Sequence, residues 1–324
     1  MTPSISVFVV NYNTCGLLER CLRSVFNNKG DVSVEVFVAD NCSTDGSAAM
    51  VEERFPQVWL TKYTENRGFT KAVNPLISMA EGRYYLFLHP DMELLPGTLS
   101  AFLDFFESNT HAGIVGANLY YPDGTPNPCE ILPPGFKNDL LSLSVRLFKR
   151  LPAARHLTGE RNPAEWSHKR TRQVNWVWNA CMMVRRQVID AVGSFDEKFF
   201  VWFADWDLCK RAADTGWGVY YLKEARAIHH ERLSFTTQDL EMEEIRYKVD
   251  GWYSAPGQIH DRHVFLKKHA GAASILGMKT IQAFENGIRL WLILGRLLVG
   301  KSNLRDGLFE MGACLRVIQA ILQA

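Results

Sequence analysis

The 324-residue chain has almost no net charge: 36 Lys and Arg stand against 35 Asp and Glu, leaving +1 at neutral pH. No global field draws it to nucleic acid, so any attraction for anions has to be local. It lacks an uninterrupted apolar stretch of the roughly 18 or more residues that a spanning helix needs. A basic leader is also missing, and the first apolar run, Ile5 to Val10, is too short for a signal-peptide core. The seven cysteines show neither CxxC nor zinc-ligand spacing, and their odd number argues against a disulfide framework. Internal repeats and low-complexity segments are lacking too. These absences predict a cytoplasmic protein with reduced thiols that is not integral to a membrane.

What is present is the composition of a soluble globular chain, 47% hydrophobic and 22% charged. Its length allows one large α/β domain with an appendage, or two ordinary domains. Ser6 to Val10 reads as a buried strand, and Leu17, Leu18, Cys21, Leu22, Val25 and Phe26 repeat at helical spacing. Val34 to Ala39 reads as a second buried strand, followed by the polar turn Asp40 to Gly46 and a short helix. Val58 to Tyr63 is a third strand; Tyr84 to Leu88 is a fourth, stopped at His89-Pro90-Asp91 because proline removes a backbone donor. This alternation predicts a mostly parallel sheet covered by helices, with ligands outside the carboxyl ends of the strands. The turns after Val10, Ala39 and Leu88 lie there.

Residues 121–175 loosen into Pro-rich and basic stretches, including Arg146 to Arg150 and His168 to Arg170, and read as an irregular insertion. Periodicity resumes with Ala180 to Val184, a helix after Arg186, and a helix from Trp206 to Ala213. From about His260 the pattern is helical throughout.

Asp40, Asp45, Asp91, Glu93, Asp205 and Asp207 all fall at or just beyond predicted element ends, where burial does not explain them. Converging on one sheet edge, such carboxylates suggest a metal or an acid-base site. Taken singly each is weak, because Asp also caps helices and starts turns, and Asp45 reads equally well as a turn residue.

Several ordered motifs sharpen this: Val9 to Asn13, Val38 to Ser47, Glu65-Asn66-Arg67-Gly68-Phe69, His89-Pro90-Asp91, Val184 to Arg186, Gly193 to Glu197, Ala204-Asp205-Trp206-Asp207-Leu208-Cys209, and Gly216-Trp217. From Val7 to about Ser234 their order resembles glycosyltransferase family 2, particularly its bacterial rhamnosyltransferase-like branch. The resemblance implies a GT-A fold, an inverting mechanism, a nucleoside diphosphate sugar as donor and a divalent metal, Mg2+ or Mn2+. It divides the chain into a catalytic domain, 1–258, whose insertion at 121–175 faces the acceptor, and a helical extension, 259–324.

The resemblance also assigns residues. Asp40 would hydrogen-bond the base edge, favouring a uracil or thymine imide N–H, with Asn11 and Tyr12 framing base and ribose. Asn66, Arg67 and Gly68 would lie near ribose or diphosphate, although Arg67 also reads as a plain surface residue. Asp91 matches the final aspartate of the family's metal motif, and one or two carboxylates suffice for such an ion. His89 departs from the branch's usual asparagine and reads as a ribose contact, a packing residue or a ligand for Mn2+. Asp205 matches the catalytic base, with Ala204 where the family has an acid and Asp207 the competing candidate. His229 completes the metal site, with His230 as its alternate. Trp176 and Trp178 are candidates for stacking on sugars, one of them as core. Asn179 replaces a glycine and would narrow the pocket beside the donor sugar.

The function implied is transfer from dTDP-rhamnose or a UDP-sugar to a glycan or lipid-linked glycan in cell-surface polysaccharide synthesis. Residues 281–299 form a basic amphipathic pattern that suits a membrane interface at the inner face of the plasma membrane, packing on the protein, or a homodimer. The replacements at His89, Ala204 and Asn179 keep a second class open, a nucleotide-sugar or glycan-binding module with little or no turnover. A sugar nucleotidyltransferase is disfavoured because no Gly-rich activating loop stands at the N-terminus.

Overall fold

The computed structural model describes residues 4–127, 169–230 and 256–299, together with short helical stretches between 311 and 321. Most of the expected insertion and the motif end at Ser234 lie outside the described residues. The chain forms two compact units, 1–131 with 160–238, and 132–159 with 239–324.

In chain order the first unit holds β1 (Ile5–Asn11), α1 (Cys15–Asn28), β2 (Val34–Asp40), α2 (Ser47–Arg54), β3 (Trp59–Lys62), α3 (Gly68–Ile77) and β4 (Tyr84–Leu88). There follow β5 (Met92–Leu94), α4 (Thr98–Ser108), β6 (Ala112–Tyr120), β7 (Arg172–Gln173), β8 (Cys181–Arg185), α5 (Arg186–Val192), α6 (Ala204–Asp214) and β9 (Gly218–His229). The strands form one sheet in the order β3-β2-β1-β4-β8-β6-β9-β5, with β7 also on β9. Pairing is parallel from β3 to β4 and between β6 and β9. It is antiparallel where β8 joins β4 and β6 and where β5 and β7 join β9. The sheet is therefore mixed but mostly parallel, flanked by helices.

The continuous apolar runs explain the central strands. β1, β2 and β4 are buried along nearly their whole length, as strands covered on both faces must be. Phe8 stacks on Phe37 and Phe87 at 5.5 and 5.3 Å between ring centroids on one face. Leu18, Leu22 and Val25 of α1 join Val7, Val9 and Val38 in the core. Each fully buried side chain of this size contributes about 1.5–3 kcal/mol relative to exposure.

Two boundaries differ from the sequence pattern. β3 is shorter than Val58 to Tyr63, because it lies at the sheet edge and pairs only with β2. α6 begins at Ala204, so Asp205 sits in its first turn rather than in a preceding loop.

The second unit contains α7 (Pro256–His269) and α8 (Gly271–Leu298), which pack against each other, as the helical pattern near the C-terminus predicts. No helix among the described residues is long and apolar enough to cross a membrane.

Candidate active site

The parallel register of β1 and β2 sets Asn11 beside Asp40. Asn11 Nδ2 donates to Asp40 Oδ1 at 3.1 Å, and the Ser43 backbone N–H donates to Asp40 Oδ2 at 3.1 Å. Asn11 Oδ1 accepts from Thr14 Oγ1 at 2.6 Å. Each Asp40 oxygen has a further acceptor site, so the carboxylate is oriented yet able to take an external N–H. The two turns adopt left-handed backbone at Asn13 (φ 52) and Cys42 (φ 69), a conformation that costs non-glycine residues energy. They lock together: Asn13 N donates to Ser43 Oγ at 3.0 Å, and Thr44 N donates to Asn13 Oδ1 at 2.8 Å. Tyr12 is half-buried on the same turn. Asp45 takes hydrogen bonds from the backbone N–H groups of Cys15 and Ser47, at 2.7 and 3.0 Å, and so serves the starts of α1 and α2.

Asn41 carries a function that the sequence pattern did not reveal. Its Nδ2 donates to Asn66 Oδ1 at 2.8 Å and to the Gly68 carbonyl at 3.1 Å, while its Oδ1 accepts from Arg67 N at 2.9 Å. One amide thus fixes the whole Asn66-Arg67-Gly68 turn. The Arg67 guanidinium lies over the Tyr63 ring, 5.0 Å from its centroid. Gly68 has φ +73, and a Cβ there would stand 2.5 Å from the Phe200 carbonyl oxygen. The close approach that this glycine permits is to the Phe199–Phe200 loop, whose carbonyls accept from Phe69 N and Thr70 Oγ1 at 2.6 Å each.

A second cluster forms where β4 ends. β5 pairs antiparallel with β9, setting Met92 opposite His229 and bringing Asp91 to the end of β9. His229 Nε2 lies 3.5 Å from Asp91 Oδ2, and His89, Asp91 and His229 offer ligand atoms all within 4.8 Å of one another. Such a set of nitrogen and oxygen donors, mostly buried, fits a divalent cation. Burial lowers the pKa of the His89 ring and so favours its neutral form, an effect that the Asp91 carboxylate opposes. Asn179 Oδ1 meets His89 Nε2 at 3.0 Å, and Asn127 Nδ2 meets His229 Nδ1 at 3.0 Å. Asn127, in Pro126-Asn127-Pro128, gave no signal in the sequence. His230 turns instead to Glu93, 3.0 Å away.

Asp205 stands nearby in the first turn of α6, preceded by Phe203 in left-handed backbone with φ 62. Its Oδ1 accepts from Trp206 N at 2.8 Å and its Oδ2 from Asn179 N at 3.3 Å. Desolvation pushes its pKa from 3.8 up to about 6, against the lowering effect of these N–H groups and of the Trp176 side chain. A carboxylate poised there can accept a proton near neutral pH. Asp207 is different: it is fully buried and paired with Arg211 at 2.7 Å. Arg211 in turn donates to the carbonyls of Val192, Gly193 and Ser194, tying α6 to the end of α5. Trp176 is buried and stacks on Trp206 at 4.5 Å, whereas Trp178 sits edge-on to His229 at 6.1 Å. The structure therefore gathers His89, Asp91, Asn179, Asp205, Trp178 and His229 in one region, and Asn11, Asp40, Asn66, Arg67 and Gly68 along the adjoining strand ends.

A family model described as Glycosyl transferase family 2 matches residues 6–138. Over 244 residues the chain is 31% identical to an N-acetylglucosaminyl-diphospho-decaprenol L-rhamnosyltransferase of Mycobacterium tuberculosis, covering 71% of this chain and 77% of that one. Among solved structures, a mannosyltransferase from Pyrobaculum calidifontis in complex with GDP-Man and Mn2+ aligns with TM-score 0.53 and 16% identity, over 100% of this chain and 87% of that one. GalNAc-T7, solved with UDP, GalNAc and Mn2+, aligns with TM-score 0.55 and 12% identity over 82% of this chain. This chain spans 48% of that protein's length. These likenesses show the GT-A fold.

Proposed function

The chain belongs to glycosyl transferase family 2, and we propose that it moves a sugar from a nucleoside diphosphate donor to a glycan or lipid-linked glycan, with inversion at the anomeric carbon. The observation that carries this reading is the buried Asp205 carboxylate, held by Trp206 and Asn179 beside the His89, Asp91 and His229 cluster. Polysaccharide biosynthesis is the setting that suits the chain's relatives.

The donor sites are read from the residues that converge on the strand ends. Asp40 accepts the imide N–H of a pyrimidine base, which favours dTDP-rhamnose or a UDP-sugar, and Asn11 and Tyr12 frame base and ribose. Asn66, Arg67 and Gly68 line the ribose and diphosphate side, where the Arg67 guanidinium offsets negative charge. A divalent ion held by Asp91 and His229, when bound, neutralises the diphosphate leaving group. Asp205 removes the proton from the acceptor hydroxyl as that oxygen attacks the anomeric carbon from the opposite face. Trp178, Asn179 and Trp176 border the space between base and metal cluster. The Mycobacterium tuberculosis relative is a rhamnosyltransferase of a lipid diphosphate, which supports a donor of the dTDP-rhamnose kind and a lipid-linked acceptor. A location at the inner face of the plasma membrane, with α8 at the lipid surface, agrees with such an acceptor.

The experiment is Asp205→Asn. Turnover should fall by about 10²–10⁴-fold while nucleotide-sugar affinity stays within a few-fold of the parent. Near-normal turnover by this variant removes the assignment of the base.

A further inference from the structure

The metal cluster differs in kind from a lone aspartate that borrows its other ligands from the donor. Two imidazoles and one carboxylate converge from two segments far apart in sequence: the His89-Pro90-Asp91 turn between β4 and β5, and the end of β9. What singles the cluster out is the second layer around it. Each histidine has one ring nitrogen held by the side-chain amide of an asparagine: His89 by Asn179, and His229 by Asn127. Both asparagines are buried, at 7% and 1% exposure.

These contacts are linked to which nitrogen holds a lone pair. With the Asn179 amide as it stands, Oδ1 accepts from His89 Nε2, the tautomer in which Nδ1 keeps the electron pair. At His229 the amide as it stands donates Nδ2 to Nδ1, leaving the hydrogen on Nε2, which faces Asp91 at 3.5 Å. Ligation through Nε2 requires the opposite arrangement, with the Asn127 amide turned so that Oδ1 faces Nδ1. The hydrogen then moves to Nδ1, and Nε2 presents its lone pair beside the Asp91 carboxylate. A histidine that ligates a metal characteristically donates its other N–H to such an acceptor, which fixes ring orientation and raises basicity.

We infer that His89 is a metal ligand in its own right, and that His89, Asp91 and His229 form a two-histidine, one-carboxylate site, held by Asn179 and Asn127, that selects a first-row transition ion over Mg2+. The inference rests on the proposed use of a divalent ion by this site. Its chemical basis is that Mg2+ demands hard oxygen ligands and keeps its waters, whereas imidazole nitrogen suits transition ions. Because three donors come from the protein, the ion binds without help from donor phosphates. Asn179 also touches both His89 and Asp205, so the residue that orients the ligand also donates to the base.

The test uses the full chain without any nucleotide sugar. Free Mn2+ is followed by its paramagnetic resonance signal during titration, Mg2+ is added as competitor, and pulsed resonance counts the imidazole nitrogens on bound Mn2+. The parent protein should bind one Mn2+, show two imidazole couplings, and release less than half of the ion to about a hundredfold excess of Mg2+. His89→Asn should show one coupling and lose about tenfold or more of the preference for Mn2+. Asn179→Gly should retain both couplings and bind Mn2+ about 10–100-fold more weakly. The inference is overturned by a single imidazole coupling in the parent, by an unchanged count and preference in His89→Asn, or by no Mn2+ binding up to about 1 mM, far above the affinity of a three-ligand site. Donor turnover in a protein that fails this test would leave the transferase reading intact and remove only the role of His89.

Discussion

The backbone N–H of Asn179 donates to Asp205 Oδ2 at 3.3 Å, while the side chain of the same residue meets His89 at 3.0 Å. The proposed base and the His89, Asp91 and His229 cluster are thus joined through one buried residue. His89 N also donates to the Ala180 carbonyl at 2.9 Å, which ties the end of β4 to the segment before β8. Residue 179 links Asp205 to the turn that carries His89 and Asp91.

The pH dependence follows from burial. With a folded-state pKa of about 6 against an ordinary value of 3.8, Asp205 is deprotonated for catalysis only above about pH 6, so kcat should fall as pH drops through that value. The stability effect has the opposite sense. Between the two values the folded state holds the extra proton, so stability falls as pH rises, and the cost is complete above about pH 6. Measured by urea unfolding in chelator, the stability difference between the parent and Asp205→Asn should shift by roughly 2–3 kcal/mol between pH 4 and pH 7. The variant's altered hydrogen bonds add only a constant offset. A pH-independent difference would contradict the desolvated carboxylate.

Asp207 separates structure from chemistry. Its buried carboxylate holds Arg211, which ties three carbonyls after α5. Asp207→Asn should cost about 1–3 kcal/mol of stability, because it leaves the part-buried Arg211 guanidinium without its charge partner. Its folded fraction should turn over within about threefold of the parent, since a packing residue does not enter the transition state. Equilibrium unfolding and active-site-normalised kcat check the two halves of this statement. A folded Asp207→Asn without turnover would exchange the roles of the two aspartates.

Gly68→Ala tests the junction between α3 and the Phe199–Phe200 loop. The substitution meets both a φ of +73 and a carbonyl oxygen at 2.5 Å, and should cost about 2 kcal/mol or more. Gly97 has φ +81 with open space around it, so Gly97→Ala should cost only the conformational part, about 1 kcal/mol. Equal urea midpoints for the two variants would rule out the tight contact at Phe200.

The proposed interfacial role of α8 is open to flotation. Phe284, Trp291 and Leu298 recur every seven residues and are 53%, 73% and 88% exposed, with Leu294 at 44% between them. Residues 256–324 hold nine Lys and Arg against four Asp and Glu, a local excess within a chain of net charge +1. The intact protein should float with vesicles rich in anionic lipid, less so at high salt, and Trp291→Glu should weaken the association. Failure to float with any such vesicle would reject the membrane role.

The legible parts of the molecule are those in which local pattern and final environment agree. β1, β2 and β4 announce themselves as apolar runs because both faces are covered, and α1 shows its stripe through Leu18, Cys21, Leu22 and Val25. β5 has three residues and no pattern of its own, yet its pairing with β9 brings Asp91 to His229 across more than 130 positions. Periodicity cannot show a contact of that range; only the family resemblance paired these residues in the sequence. Asn41 and Asn127 were invisible for another reason. An asparagine in a turn looks the same whether it caps the turn or clamps a distant one, and only the hydrogen-bond partners tell these apart. Asp45, with equal claims as site or turn residue, is engaged by the helix starts at Cys15 and Ser47.

Metal-assisted transfer from a nucleotide sugar is the reaction proposed for this chain. Its most direct test is release of nucleoside diphosphate across a panel including dTDP-rhamnose and UDP-sugars, with Mn2+, with Mg2+ and with chelator. Turnover of a dTDP- or UDP-linked sugar should be abolished by chelator and restored by Mn2+. Equal turnover in chelator, or donor binding without turnover under every metal condition, would contradict it.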